Sequence, residues 1–148
     1  MTTAERERNI FWNMFEEELA RRGEPFEIRH RTHYATVDQR SASSDYCLSV
    51  DFLIQKRFIR VGIYMRDDIP AFEQIYTHKD EIENLLGFHP RWTQKGETNP
   101  NTRRIEVHIP FIPHNIYSYA SAIDRTIEYI QQFKRVIPLY SPKRLFDW

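Results

Sequence analysis

The sequence has one cysteine and four glycines in 148 residues, and no excess charge of either sign. Each shortage excludes something. Cys47 has no partner for an internal disulfide, so it reads as a buried structural thiol in the reducing cytoplasm. With few glycines and no Gly-rich phosphate-binding motif, the chain offers little backbone that can wrap a nucleotide. No run of about 18 apolar residues occurs, and the opening MTTAERERNI lacks the apolar stretch of an export signal, so neither a membrane span nor secretion is expected. The 21 Lys and Arg match the 21 Asp and Glu. A neutral chain exerts no long-range pull on nucleic acid or anionic lipid, and only a local patch can supply one. Metal-ligand spacings are missing too. There is no CxxC or HExxH, and His30 and His33 would point to opposite faces of a strand, so no metal and no cofactor are expected.

What is present is a globular composition: 41% hydrophobic, 14% aromatic and 28% charged residues. A chain of this size buries about 70% of its unfolded surface and needs no staple. Ile10, Phe11, Met14, Phe15 and Leu19 recur at helical spacing and predict a helix over Thr3 to Arg22, with a Thr2/Glu5 capping box at its start and Gly23 as its stop. Phe26 to Val37 reads as one irregular strand, and the turn-forming stretch Gln39 to Asp45 follows.

Tyr46, Leu48, Val50, Phe52 and Ile54 then alternate with Cys47, Ser49, Asp51 and Leu53. Ile59, Val61, Ile63 and Met65 alternate with Phe58, Arg60, Gly62 and Tyr64, so the two runs should form a hairpin. Asp67 and Asp68 can cap a second helix with the stripe Phe72, Ile75, Tyr76, Ile82, Leu85 and Leu86, ended by Gly87. A strand over Phe88 to Gln94 and a polar loop, KGETNPNT, precede a further strand. There Ile105, Val107, Ile109 and Phe111 oppose Arg104, Glu106 and His108. Asn115 caps a final helix with the stripe Ile116, Ala120, Ile123, Ile127, Ile130, Phe133 and Ile137, and Pro138 stops it. The expectation is a single α+β domain over residues 1–148, a mostly antiparallel sheet packed sandwich-like against three main helices. A short tail, 138–148, should pack through Leu145, Phe146 and Trp148.

The succession RVGIYMRDD, FEQIYTHKDEIENLLGFHPRW and RRIEV resembles the bacterial family catalogued as domain of unknown function 4268. Its most specific parts are the RVGIY strand, the helix end with Ile82, Glu83 and Gly87, Trp92, and the pair Arg104-Ile105. The resemblance implies a compact α+β domain and assigns no activity. Relatives commonly carry an acidic residue where this chain has Gly62, so no carboxylate role carries over to that position.

The outward sides of the strands collect Asp51, Arg60, Tyr64, Arg91, Arg104, Glu106 and His108. With helices on only one side, these would form a platform whose guanidinium and phenol groups hold a phosphate, a base or an acidic peptide. A solvated face stabilised by cross-strand pairs such as Arg60 with Asp51 accounts for the same residues without a ligand. Glu16, Glu17 and Glu18 read as a solvated helix face, whereas Lys95, Arg103 and Arg104 at the loop ends would steer an anionic partner. The resulting expectation is a cytoplasmic, non-enzymatic interaction module that binds a protein or nucleic acid through this polar face and can form a homodimer. The alternatives are a metal-dependent enzyme acting on nucleic acid, with Asp51, Glu106 and His108 clustered in a concave site, and a self-assembly domain.

Overall fold

A computed structural model describes residues 1–25, 27–30, 33–38, 46–94 and 99–142, the side chain of His30 excepted. Helix α1 spans Thr3–Arg22. It begins at the expected capping box, where the Thr2 hydroxyl accepts from Glu5 N–H and the Glu5 carboxylate accepts from Thr2 N–H. Gly23 ends it in the left-handed conformation, at φ 63°.

The strands are β1 (Ile28–His30), β2 (Tyr34–Val37), β3 (Tyr46–Leu53), β4 (Phe58–Arg66), β5 (Arg91–Thr93) and β6 (Thr102–Pro110). They form one antiparallel sheet in the order β1-β2-β3-β4-β6-β5. Where one irregular strand was expected, Ile28–His30 and Tyr34–Val37 pair as two short antiparallel strands. The Phe88 to Gln94 strand shortens to Arg91–Thr93. The turn over Gln39 to Asp45, residues 95–98 of the polar loop with Lys95, and the tail residues Leu145, Phe146 and Trp148 lie outside the described residues.

The expected second helix is two helices, α2 (Ile69–Tyr76) and α3 (Lys79–Leu86). Asp68 caps the first by accepting from Ala71 N–H at 3.0 Å. The break has a local cause. The Thr77 hydroxyl donates back to Gln74 O, and His78 N–H reaches Ile75 O three residues back, so the chain tightens and restarts. Helix α4 runs Ile116–Val136 behind an Asn115 cap and passes into a 3-10 turn, Ile137–Leu139, that carries Pro138.

Among the described residues, four α-helices therefore pack on the sheet instead of three. Their core residues lie on one side of it, giving a two-layer arrangement. Phe11 and Phe15 of α1, Phe72 and Ile75 of α2, Ile82 of α3 and Ile123, Ile127, Ile130 and Phe133 of α4 join one core with Val50, Val61, Ile63 and Ile105 of the sheet. Phe52 is stacked between Phe11 at 4.5 Å and Phe111 at 4.9 Å, with Tyr119 edge-on. The first turn of α4 departs from its expected stripe: Ile116 is exposed and Tyr119 is buried. Tyr119 OH accepts from His114 N–H at 2.9 Å, which holds the ring inward and rotates Ile116 to the surface.

Candidate functional site

The alternation read from the strands holds through β3, β4 and β6, and all seven candidate residues fall on the side away from the helical core. The register sets their order. Asp51 lies opposite Arg60 and Arg60 opposite His108, while Gly62 faces Glu106 and Tyr64 faces Arg104. Arg91 of β5 lies opposite Glu106, so it joins the same side.

The centre is a pair of carboxylates roofed by guanidinium groups. Arg60 donates from Nε to Asp51 Oδ2 at 2.7 Å, and its Nη2 lies 2.6 Å from the same oxygen. Arg60 Nε is also 3.4 Å from Glu106 Oε2, and Arg104 Nη1 lies 3.6 Å from Asp51 and 4.0 Å from Glu106. Only 3% of Asp51 and 7% of Glu106 is exposed. Cover for these acids thus comes from neighbouring side chains on the sheet. Burial, and then the proximity of Arg60, push the Arg104 guanidinium below its ordinary range, and Asp51 and Glu106 act in the opposite sense.

Aromatic rings complete the layer. The Arg104 guanidinium sits 4.7 Å from the centre of the Tyr64 ring. His108 stacks on Phe58 at 4.2 Å and nearly parallel, with Arg91 Nη1 3.2 Å from its Nδ1 and Glu106 Oε1 3.4 Å from its Nε2. Burial holds the His108 imidazole below its usual value, against the pull of Glu106. Phe58 was absent from the sequence-predicted set, although it alternates with Ile59 and so shares the side of Arg60. Cys47 is buried on this polar side, opposite Tyr64. Burial first, and Asp51 second, raise its thiol to about 11.

Gly62 lies in the middle of the face. A Cβ built there would fall 2.1 Å from Ile105 O and 2.6 Å from Glu106 Cα, so the backbone of β6 occupies the place of a side chain. A carboxylate at this position would require the two strands to move apart. Among the described residues, no three His, Cys, Asp or Glu are grouped so as to hold a metal ion. Arg103, expected to steer an anion, is buried on the helix side and donates to Pro100 O and Thr102 O, a structural role.

The model of the family described as Domain of unknown function (DUF4268) matches residues 7–141. No curated protein and no solved structure matches the chain.

Proposed function

The chain belongs to the DUF4268 family, and on that footing we propose that it works as a non-enzymatic interaction module whose polar sheet face docks a protein. The observation that carries this reading is the layer itself. Three arginines, two carboxylates and the Tyr64 and His108 rings share one side of the sheet, and the helices pack into the core on the other side. Arginine and tyrosine are among the residues enriched in protein interfaces relative to the rest of the surface.

The charge balance favours protein over nucleic acid. Arg60, Arg91 and Arg104 exceed Asp51 and Glu106 by one positive charge, and Arg60 is already engaged by the carboxylates. A phosphate backbone would have to compete with those acids, and the chain as a whole adds no net attraction. A partner surface of mixed charge meets the face without breaking its internal pairs. The closed position at Gly62 and the arginine contacts of Asp51 and Glu106 weigh against metal-dependent cleavage.

The test is capture from native lysate on the immobilised full chain, beside the variants R91E and Y64A. A specific protein lost with both variants and retained after nuclease treatment supports the reading. A captured species removed by nuclease, or retained at full strength by both variants, overturns it.

A further inference from the structure

We infer that the groove between the outer edge of β6 and the first half of α4 binds an extended peptide segment of a partner protein, which adds as a strand beside β6 and directs an acidic side chain to Arg125. The first observation is a mismatch of strand length. Strand β6 runs Thr102–Pro110, but β5 pairs only with Arg104 to Glu106. Phe111 N–H donates to Arg57 O and Asp67 N–H to Asn101 O, both at 3.0 Å. The odd-numbered residues of β6 therefore turn their backbone groups toward β4, and the even-numbered ones turn outward. Arg104 and Glu106 are met by β5. Beyond Arg91, His108 N–H, His108 C=O and Pro110 C=O continue the edge with no strand beside them among the described residues.

The second observation is on the helix above that edge. Phe88 packs edge-on against Tyr129 at 4.8 Å and Phe133 at 5.7 Å, covering the C-terminal half of α4 on this flank. Toward the N-terminus of α4 the cover stops. Arg125, Ser121 and Ser118 there line an open depression of about 350 Å³ with Ile109, Pro110 and Ile112. This is where a longer β5 would bury its next side chains. Ile112 is 63% exposed and Tyr117, also at the rim, 82%.

These features select one kind of occupant. A sheet edge offers hydrogen bonds to a peptide backbone, the Ile109 and Ile112 wall takes an apolar side chain, and Arg125 takes a carboxylate. Arg125 enters no hydrogen bond or ion pair among the described residues, so its charge is available. Pro110 removes one donor and limits the new ladder to three bonds, which leaves selectivity to the side chains seated in the depression. The groove lies on the helix side of the sheet edge and is independent of the polar face.

The experiment pans the full chain against a displayed library of random heptapeptides, then measures the best sequence as a terminally blocked synthetic peptide. Enriched sequences should alternate apolar residues and carry one Asp or Glu. R125E should weaken binding about tenfold, and S121W, which fills the depression, should abolish it. Methylating the peptide amide that faces His108 C=O should also abolish binding, and exchange of the His108 amide should slow in the complex. Y64A should leave the affinity unchanged, which separates this site from the polar face. Ser121 and Arg125 are both exposed, so unchanged thermal unfolding serves as the folding control. Absence of enrichment, binding that survives S121W, or equal binding of the methylated peptide overturns the inference. A homodimer that S121W dissociates also overturns it, by giving the groove to a second copy.

Discussion

At their centres the two sides of the sheet bury residues to nearly the same degree by opposite means. On the helix side, Val50, Val61, Ile63 and Ile105 are fully enclosed by side chains from the helices and adjacent strands. On the other, Asp51, Ser49 and Glu106 are almost as inaccessible, but what lies over the acids is Arg60 and Arg104. Apolar burial is non-directional and survives rearrangement, so the helix side can absorb volume-conserving changes. The polar side depends on each partner being present, because a buried carboxylate that loses its guanidinium keeps its desolvation cost and loses the compensation.

The largest effect should come from the helix side. Phe52→Ala removes the ring stacked between Phe11 and Phe111 and should cost about 3–5 kcal/mol in urea unfolding. A loss below about 1 kcal/mol would mean that this cluster is not the centre of the core. The polar side should respond differently to single and paired changes. Arg60→Met alone should cost about 3 kcal/mol, and Asp51→Leu with Arg60→Met should recover most of that loss. Additive losses in the double-substituted chain would show that packing, and not charge pairing, dominates this face.

A smaller effect is chemical. With its thiol raised to about 11, Cys47 should alkylate at pH 8 about 100-fold more slowly than an ordinary cysteine. Reaction at the ordinary rate in the folded chain would place Cys47 in solvent. The smallest expected effect is the pH response of His108. Its pKa is lowered in the fold, so folding favours the neutral ring. That contribution is fully present above the usual value of 6.5 and is lost as the pH falls from there through the lower folded value. Urea midpoints measured downward from pH 7 should decline more in the native chain than in His108→Gln, and identical slopes would contradict the assignment.

Much of this was legible in the order of residues because strand alternation is a local signal. Asp51, Arg60, Tyr64, Glu106 and His108 each sit between apolar neighbours that must turn inward, and Arg104 alternates with Ile105, so their side of the sheet follows from the chain itself. The Arg60 and Asp51 pair was readable for the same reason, once a short turn placed the two strands in register. The extent of burial was not readable. Nothing in the spacing shows that guanidinium groups from two different strands converge over both Asp51 and Glu106. The groove beside β6 was hidden as well, since it arises from the unequal lengths of two paired strands and from what covers the flank of α4.

By itself the sequence determined the α1 boundaries and caps, the β3 and β4 hairpin, the Asp68 and Asn115 caps, and which side of each long strand is polar. These depend on residues within a few positions of one another, where sterics and short hydrogen bonds act directly. The tertiary structure alone decided that Gly62 is pressed against the backbone of β6 and that Tyr119 displaces Ile116 from the buried face of α4. Each of those outcomes depends on a group distant in the chain or on the shape of the surrounding packing, and neighbouring residues carry no record of either.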